Sequence, residues 1–106
     1  MATAEITVIG LGRPSASASE YIAEIHRRLA AQYKVIYQLN AMGTELQGNL
    51  EDILAIVAEL HRVPLDLGLP RAYTVLKLDE RSDKPDQTLA DKVESVQRLL
   101  NAATNH

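Results

Sequence analysis

Apolar residues recur along this chain in two rhythms, and the changes between them divide it into elements. Residues 3 to 9 place Ala4, Ile6 and Val8 on one side of an extended segment and Glu5, Thr7 and Ile9 on the other, the period of two expected of a strand with one buried face. From Ser19 to about Gln32 the step lengthens, with Ile22, Ile25, Leu29 and Tyr33 spaced by three and four. This predicts an amphipathic helix whose outer face carries Glu20, Glu24, Arg27 and Arg28. His26 falls at the boundary of the stripe, as a surface or boundary histidine. Residues 34 to 39 alternate again, Val35, Tyr37 and Leu39 against Ile36 and Gln38. Gly43 and Gly48 bracket a short third strand, Thr44 to Gln47, so a hairpin is expected around Ala41 to Gly43.

Asn49 is placed to cap a second helix, with Glu51 and Asp52 at the positive end of its dipole. Ile53, Val57 and Leu60, flanked by Leu54 and Ile56, give that helix a wide apolar face, and His61 near its end is expected to be partly buried and bonded to backbone. Pro64 removes a helical hydrogen bond and clashes with the preceding turn, at about 3 kcal/mol, so the helix should end or kink there. Residues 71 to 79 read as a last strand, rich in β-branched and aliphatic residues. It runs straight into Asp79-Glu80-Arg81-Ser82-Asp83-Lys84, charges that must reach water or a partner at a rim. A solvated loop laced with weak ion pairs is the simpler account of them. Thr88, with Asp91 three residues on, forms a capping box for a final helix. Its buried stripe is predicted as Leu89, Val93, Val96 and Leu100, with residues 101 to 106 frayed.

Strand, helix, strand, strand, helix, strand and an appended helix make an α+β, ferredoxin-like βαββαβ sandwich with an extra C-terminal helix. The 106 residues fit a single domain, 1–106. The two main helices would cover Ile6, Val8, Leu76 and Leu78. The other sheet face would show Glu5, Thr7, Ile9, Tyr73, Val75 and Lys77, too apolar to be left wet, and should meet a copy of itself or a ligand.

Composition removes several classes of function. Cysteine is absent, which excludes a disulfide framework, a thiolate metal site and a cysteine nucleophile. A net charge of −3 without any basic run disfavours nucleic acid. No leader pattern and no apolar run of about 18 residues is present, so no membrane association is expected and a cytoplasmic location is the default. The loop from Gly10 to Ser19 lacks the third glycine and the acid of a dinucleotide fingerprint. Its serines, Ser17 among them, can offer hydroxyls and N–H groups to an anion, although Ser17 or Ser19 as a helix cap is the simpler role.

The strand Ala4-Glu5-Ile6-Thr7-Val8-Ile9, the hairpin Met42-Gly43-Thr44 with Gly48, the helix ending at His61, and the run from Thr74 to Lys84 together resemble the small thiamine-binding-protein family. The resemblance covers nearly the whole chain, in the same order. It implies a ferredoxin-like subunit, assembly into homodimers or homotetramers, and binding of thiamine or its hydroxymethylpyrimidine part with no established reaction. The family's acid-rich strand end usually reads as two aspartates, two arginines and an aspartate; here Glu80 replaces an aspartate and Ser82 an arginine. Gly10 stands where a proline is common.

An aminopyrimidine needs a few hydrogen-bond partners and an apolar or aromatic face, while a thiazolium cation favours carboxylates or a π-face. The candidate ligand residues are Glu5 and Thr7 on the open sheet face, Tyr37 for stacking, the Met42-Gly43-Thr44 turn for backbone and hydroxyl contacts, and Asp79. Core or interface packing is the competing role for Tyr37 and Met42. Arg81 and Asp83 are candidates for an ion pair between subunits. An enzyme would draw its acid or base from Asp79, Asp83 or His61, but no nucleophile-base-orienter set and no metal-spaced cluster is visible. Non-catalytic binding is therefore expected, without cofactor or metal. The alternative is a protein-interaction or regulatory module whose open face serves assembly alone. A pocket lined by Glu5, Tyr37 and Thr44 would favour the ligand; one too narrow for a pyrimidine would favour the module.

Overall fold

The computed structural model describes residues 1–12 and 18–104. In chain order these form β1 (Ala2–Leu11), α1 (Ala18–Ala30), β2 (Ile36–Asn40), β3 (Gly43–Gly48), α2 (Leu50–His61), the short α3 (Val63–Asp66), β4 (Arg71–Glu80) and α4 (Leu89–Thr104). The sheet is antiparallel in the order β2-β3-β1-β4. This is the predicted ferredoxin-like architecture with its additional C-terminal helix. Alternation in β1 buries Ala4, Ile6 and Val8 against the helices together with Leu46 of β3.

The helix layer departs from the predicted stripes in instructive ways. In α1 the buried residues are Tyr21, Ile25 and Leu29, a run spaced by four that starts one residue earlier than expected. Ile22 is partly exposed, and Tyr33 lies beyond the helix, 90% exposed. Ser19, one of the expected caps, is the second residue of α1; Ser17, the other cap and anion candidate, lies outside the described residues. Val35 is buried but precedes β2. Gln32 accounts for this by donating to the carbonyls of Leu29 (3.0 Å) and Val35 (2.9 Å) and accepting from the Val35 N–H at 2.8 Å. The side chain replaces ladder hydrogen bonds at the turn from α1 into β2.

α2 buries Ile53, Ile56 and Leu60, while Val57 is half-buried and Leu54 exposed. Asn49 occupies the N-cap position without a side-chain capping bond, so only its carbonyl serves, accepting from Ile53 N–H at 3.0 Å. His61 bonds a side chain and not backbone: its Nδ1 lies 2.6 Å from Thr74 Oγ1. Pro64 does end the long helix. It falls in the first turn of α3, where its missing N–H leaves no bond unmade, and its carbonyl accepts from Leu69 N–H at 2.9 Å. The absence of a side chain at Gly10 lets this corner close. A Cβ there would stand 2.4 Å from Leu69 Cδ1 and 3.1 Å from Pro64 Cβ.

Two expectations of burial fail at the margins of the sheet. Leu76 is half-buried against the core, but Leu78, on the edge strand β4, is 43% exposed because the helices do not cover that end. α4 fares likewise. Its N-terminus shows the predicted capping box, Thr88 N–H to Asp91 Oδ2 at 3.0 Å and Asp91 N–H to Thr88 Oγ1 at 3.1 Å. Its first turns are tied to the sheet by Leu89 N–H to Gln47 Oε1 (3.1 Å) and by Lys92, which donates to Thr3 Oγ1 at 2.7 Å and pairs with Asp79. Beyond that anchor Val93, Val96, Leu99 and Leu100 are 56 to 73% exposed, so the predicted stripe is not buried within one chain. The helix holds to Thr104, further than the fraying expected. Its projection raises the radius of gyration to 16.3 Å, against about 13 Å for a compact chain of this length.

Candidate functional site

β1 is longer than the strand beside it. The β1–β3 ladder stops at Ile6 opposite Thr44, whereas the β1–β4 ladder continues to Leu11 opposite Arg71. From Thr7 onward β1 therefore has no strand on its β3 side. α1 lies over this notch and the hairpin turn flanks it, enclosing a pocket of about 260 Å³ lined by residues 6 to 9 of β1, by Tyr21, Ile22 and Ile25 of α1, and by residues 39 to 44. The partial exposure of Ile22 is thereby explained.

The turn is built for close approach. Asn40 pairs with Gly43, leaving Ala41 and Met42 as a two-residue connection, the predicted hairpin. Neither residue has a positive φ, so this is not one of the primed turns that such loops favour. A Cβ on Gly43 would lie 3.0 Å from Thr7 Oγ1 and 3.1 Å from the Ile6 carbonyl; glycine lets the hairpin settle against β1. Thr7 Oγ1 then donates to the Met42 carbonyl at 3.2 Å, and Met42 itself is 84% exposed at the tip.

Thr44 is the first inward-facing residue after the turn, and its buried hydroxyl lies 3.0 Å from His26 Nε2. The His26 ring meets Tyr37 edge-on, with centroids 5.8 Å apart and planes at 61°. Burial disfavours the imidazolium and lowers the His26 pKa below its ordinary value, so the ring is neutral at pH 7.

The candidate ligand residues thus divide. Thr7, Met42, Gly43 and Thr44 meet at this pocket. Glu5 and Asp79 lie instead along a shallower depression of about 210 Å³ beside the start of α4, with Thr3, Glu45, Lys77 and Lys92. There Lys77, Glu5, Glu45 and Gln38 stand in register across all four strands. Glu5 and Lys77 are 3.9 Å apart and well exposed, a weak pair, and Asp79 is engaged by Lys92. Tyr37 does not line the pocket beside the hairpin; it packs on His26 and lines a separate depression with Ile36, Gln47 and Leu89. Arg81 and Asp83 pair with each other within the chain, and the guanidinium holds the Asp83 carboxyl below its usual range. Among the described residues no group of three or more His, Asp or Glu is arranged to hold a metal ion.

Sequence reasoning missed Tyr21, Ile22, Ile25, His26 and Asn40 as site residues. The stripe did mark Ile22 and Ile25 as inward, but it did not distinguish core from pocket wall. His26 could have been found only by packing α1 over the hairpin, since its partner Thr44 is 18 residues away.

The model of a family described as thiamine-binding protein matches residues 4–97. The chain belongs to the thiamine-binding-protein family. The resemblance read from its strand and hairpin motifs is therefore correct. As a thiamine-binding-protein family member it is 39% identical over 108 residues to a UPF0045 protein of Staphylococcus xylosus, covering 99% of this chain and 100% of that one. A solved hypothetical protein of Methanocaldococcus jannaschii superposes with a TM-score of 0.80 at 34% identity, over 91% of this chain and 95% of that chain. A putative thiamine biosynthesis/salvage protein from Thermotoga maritima shares the fold, with a TM-score of 0.73 at 21% identity over 90% and 97% of the two chains.

Proposed function

We propose that this protein binds thiamine, or its hydroxymethylpyrimidine moiety, in the pocket between α1 and the β2–β3 hairpin, as a cytoplasmic homo-oligomer and without catalysing a reaction. The observation that carries this reading is the composition of the pocket: walls of Ile6, Val8, Tyr21, Ile22 and Ile25, with the inward-facing Thr44 as a hydroxyl-bearing residue and Thr7 and Asn40 also lining it. Apolar walls with a few placed hydrogen-bonding groups are what a flat heteroaromatic ring requires. A volume of about 260 Å³ falls just below the range of about 300 to 1,000 Å³ usual for larger ligands, which suits one ring better than two. The pyrimidine is therefore assigned to the pocket. The thiazolium, when present, extends past Gly43 towards Glu5, the nearest carboxylate on the open face, whose Cγ lies 3.4 Å from a Cβ built on Gly43. Family membership supports a ligand of this class.

Thermal unfolding with and without each compound tests the reading. Ligand at a hundred times its dissociation constant adds about 2.7 kcal/mol of stability, so the midpoint should rise clearly with thiamine or hydroxymethylpyrimidine. No rise with either at about a thousand times micromolar concentration, where even weak sites fill, would overturn it. Thr44→Val should weaken binding about fivefold, the worth of one net hydrogen bond, with assembly unchanged. Unaltered affinity would remove Thr44 from the site.

The interaction-module alternative draws on the exposed apolar residues of α4 and of the open sheet face, Tyr73 and Val75 among them. It gives the notch beside the hairpin no role.

A further inference from the structure

Thr44 stands between the pocket and His26. Its hydroxyl carries one proton, and Nε2 of the ring is 3.0 Å away. When Nε2 is bare, Thr44 donates to it and shows only lone pairs to the pocket. When Nε2 carries a proton the ring donates, and the hydroxyl proton turns towards the pocket instead. Thr7 has no such freedom, because its proton is engaged on the Met42 carbonyl. The pocket therefore holds a hydroxyl, that of Thr44, whose polarity is set from behind. Resting on the pyrimidine-binding reading above, we propose that His26 is a positioning residue that orients the Thr44 hydroxyl and so selects which edge of a bound pyrimidine the pocket takes.

The surroundings of the ring leave this control to His26. From β2 the Tyr37 phenol meets it edge-on, and from β3 it meets the neutral Thr44. On its own helix Glu24 is bound to both Arg27 and Arg28, and Arg28 also reaches Asp66 and the Glu59 carbonyl. Burial is the sole cause displacing the His26 pKa downward, with no charged neighbour contributing. With the neutral ring as its Nδ1–H tautomer, Nε2 accepts the Thr44 proton and the hydroxyl offers the pocket an acceptor, suited to an exocyclic amine. Acidification through the His26 pKa makes both ring nitrogens donors, so Thr44 must donate inward, which suits a carbonyl or a bare ring nitrogen.

The test compares the dissociation constants of hydroxymethylpyrimidine and of its 4-oxo counterpart, in which a carbonyl acceptor replaces the amine, by calorimetry from about pH 8 to about pH 5. In the wild type the preference for the amine should fall about tenfold across this range, the effect of exchanging one favourable hydrogen bond for one unmade. His26→Phe keeps a ring against Tyr37 but frees the hydroxyl, so only the titration of the ligand itself should remain. His26→Gln supplies a partner that does not titrate; it should restore wild-type affinity within about threefold with an equally flat preference. If both variants keep the wild-type preference and pH profile, the assignment of His26 is overturned while pyrimidine binding stands. If the wild type binds neither compound, the binding reading fails and this inference with it.

Discussion

Leu29→Ala is expected to lower the free energy of unfolding by about 3 kcal/mol and the thermal midpoint by roughly 15 °C. Leu29 is fully buried, the last member of the Tyr21, Ile25, Leu29 stripe that seats α1 on the sheet. The turn below it is held by Gln32 donating to its carbonyl, which keeps the backbone from relaxing into the space left by the side chain. Truncation thus removes transfer energy and leaves a cavity as well. Domains of this size hold only about 5 to 15 kcal/mol in reserve, so the loss is a large share. Urea unfolding checks it: the midpoint should fall with the slope unchanged. A decrease below about 0.5 kcal/mol, the ordinary effect of a surface substitution, would show that α1 is held by something other than this stripe.

The second large effect concerns assembly. On the proposed homo-oligomer, Val93→Glu combined with Val96→Glu is expected to leave a folded monomer at concentrations where the wild type would assemble. Both valines are more than half exposed in the single chain, so the charges add nothing to be buried within it, and glutamate is as good a helix former as the position needs. An oligomer formed through this stripe would cover it, and stable interfaces bury about 1,200 to 2,000 Å² with few charges at their centre. Two carboxylates placed there would have to be desolvated without partners. Analytical ultracentrifugation with circular dichroism separates loss of assembly from loss of folding. Wild-type assembly by the variant would exclude the stripe as the contact.

These two regions also show how far the residues alone could be read. The succession of elements followed from the alternation in β1 and from Gly43 and Gly48 around the hairpin, and the capping box at Thr88 and Asp91 needed only its spacing. Tyr33 was misread because steps of three and four fit two overlapping stripes; the choice between them depended on where α1 begins, and Gln32 ends the helical run before Tyr33. Val93, Val96 and Leu100 carried a correct helical period, but a period identifies an apolar face and says nothing about whether the same chain covers it. Of the candidate ligand residues, those around the hairpin meet because turn geometry is local. Glu5 and Asp79 were grouped with them by chemistry, and the register of the sheet places them with Lys77 and Lys92 instead. His26 was read only as a boundary residue because the relation that gives it further meaning, to Thr44, is tertiary.

The mismatch between a ten-residue β1 and a six-residue β3 makes the pocket a matter of strand length. One more residue on each arm of the hairpin would preserve the inward and outward alternation, carry the ladder past Thr7 and fill the notch with main chain. One fewer on each arm would widen it. Neither change touches Ile6, Val8, Leu29 or Leu46. Pocket size in this architecture is thus adjustable by paired insertions at a surface turn, while the folding core stays the same.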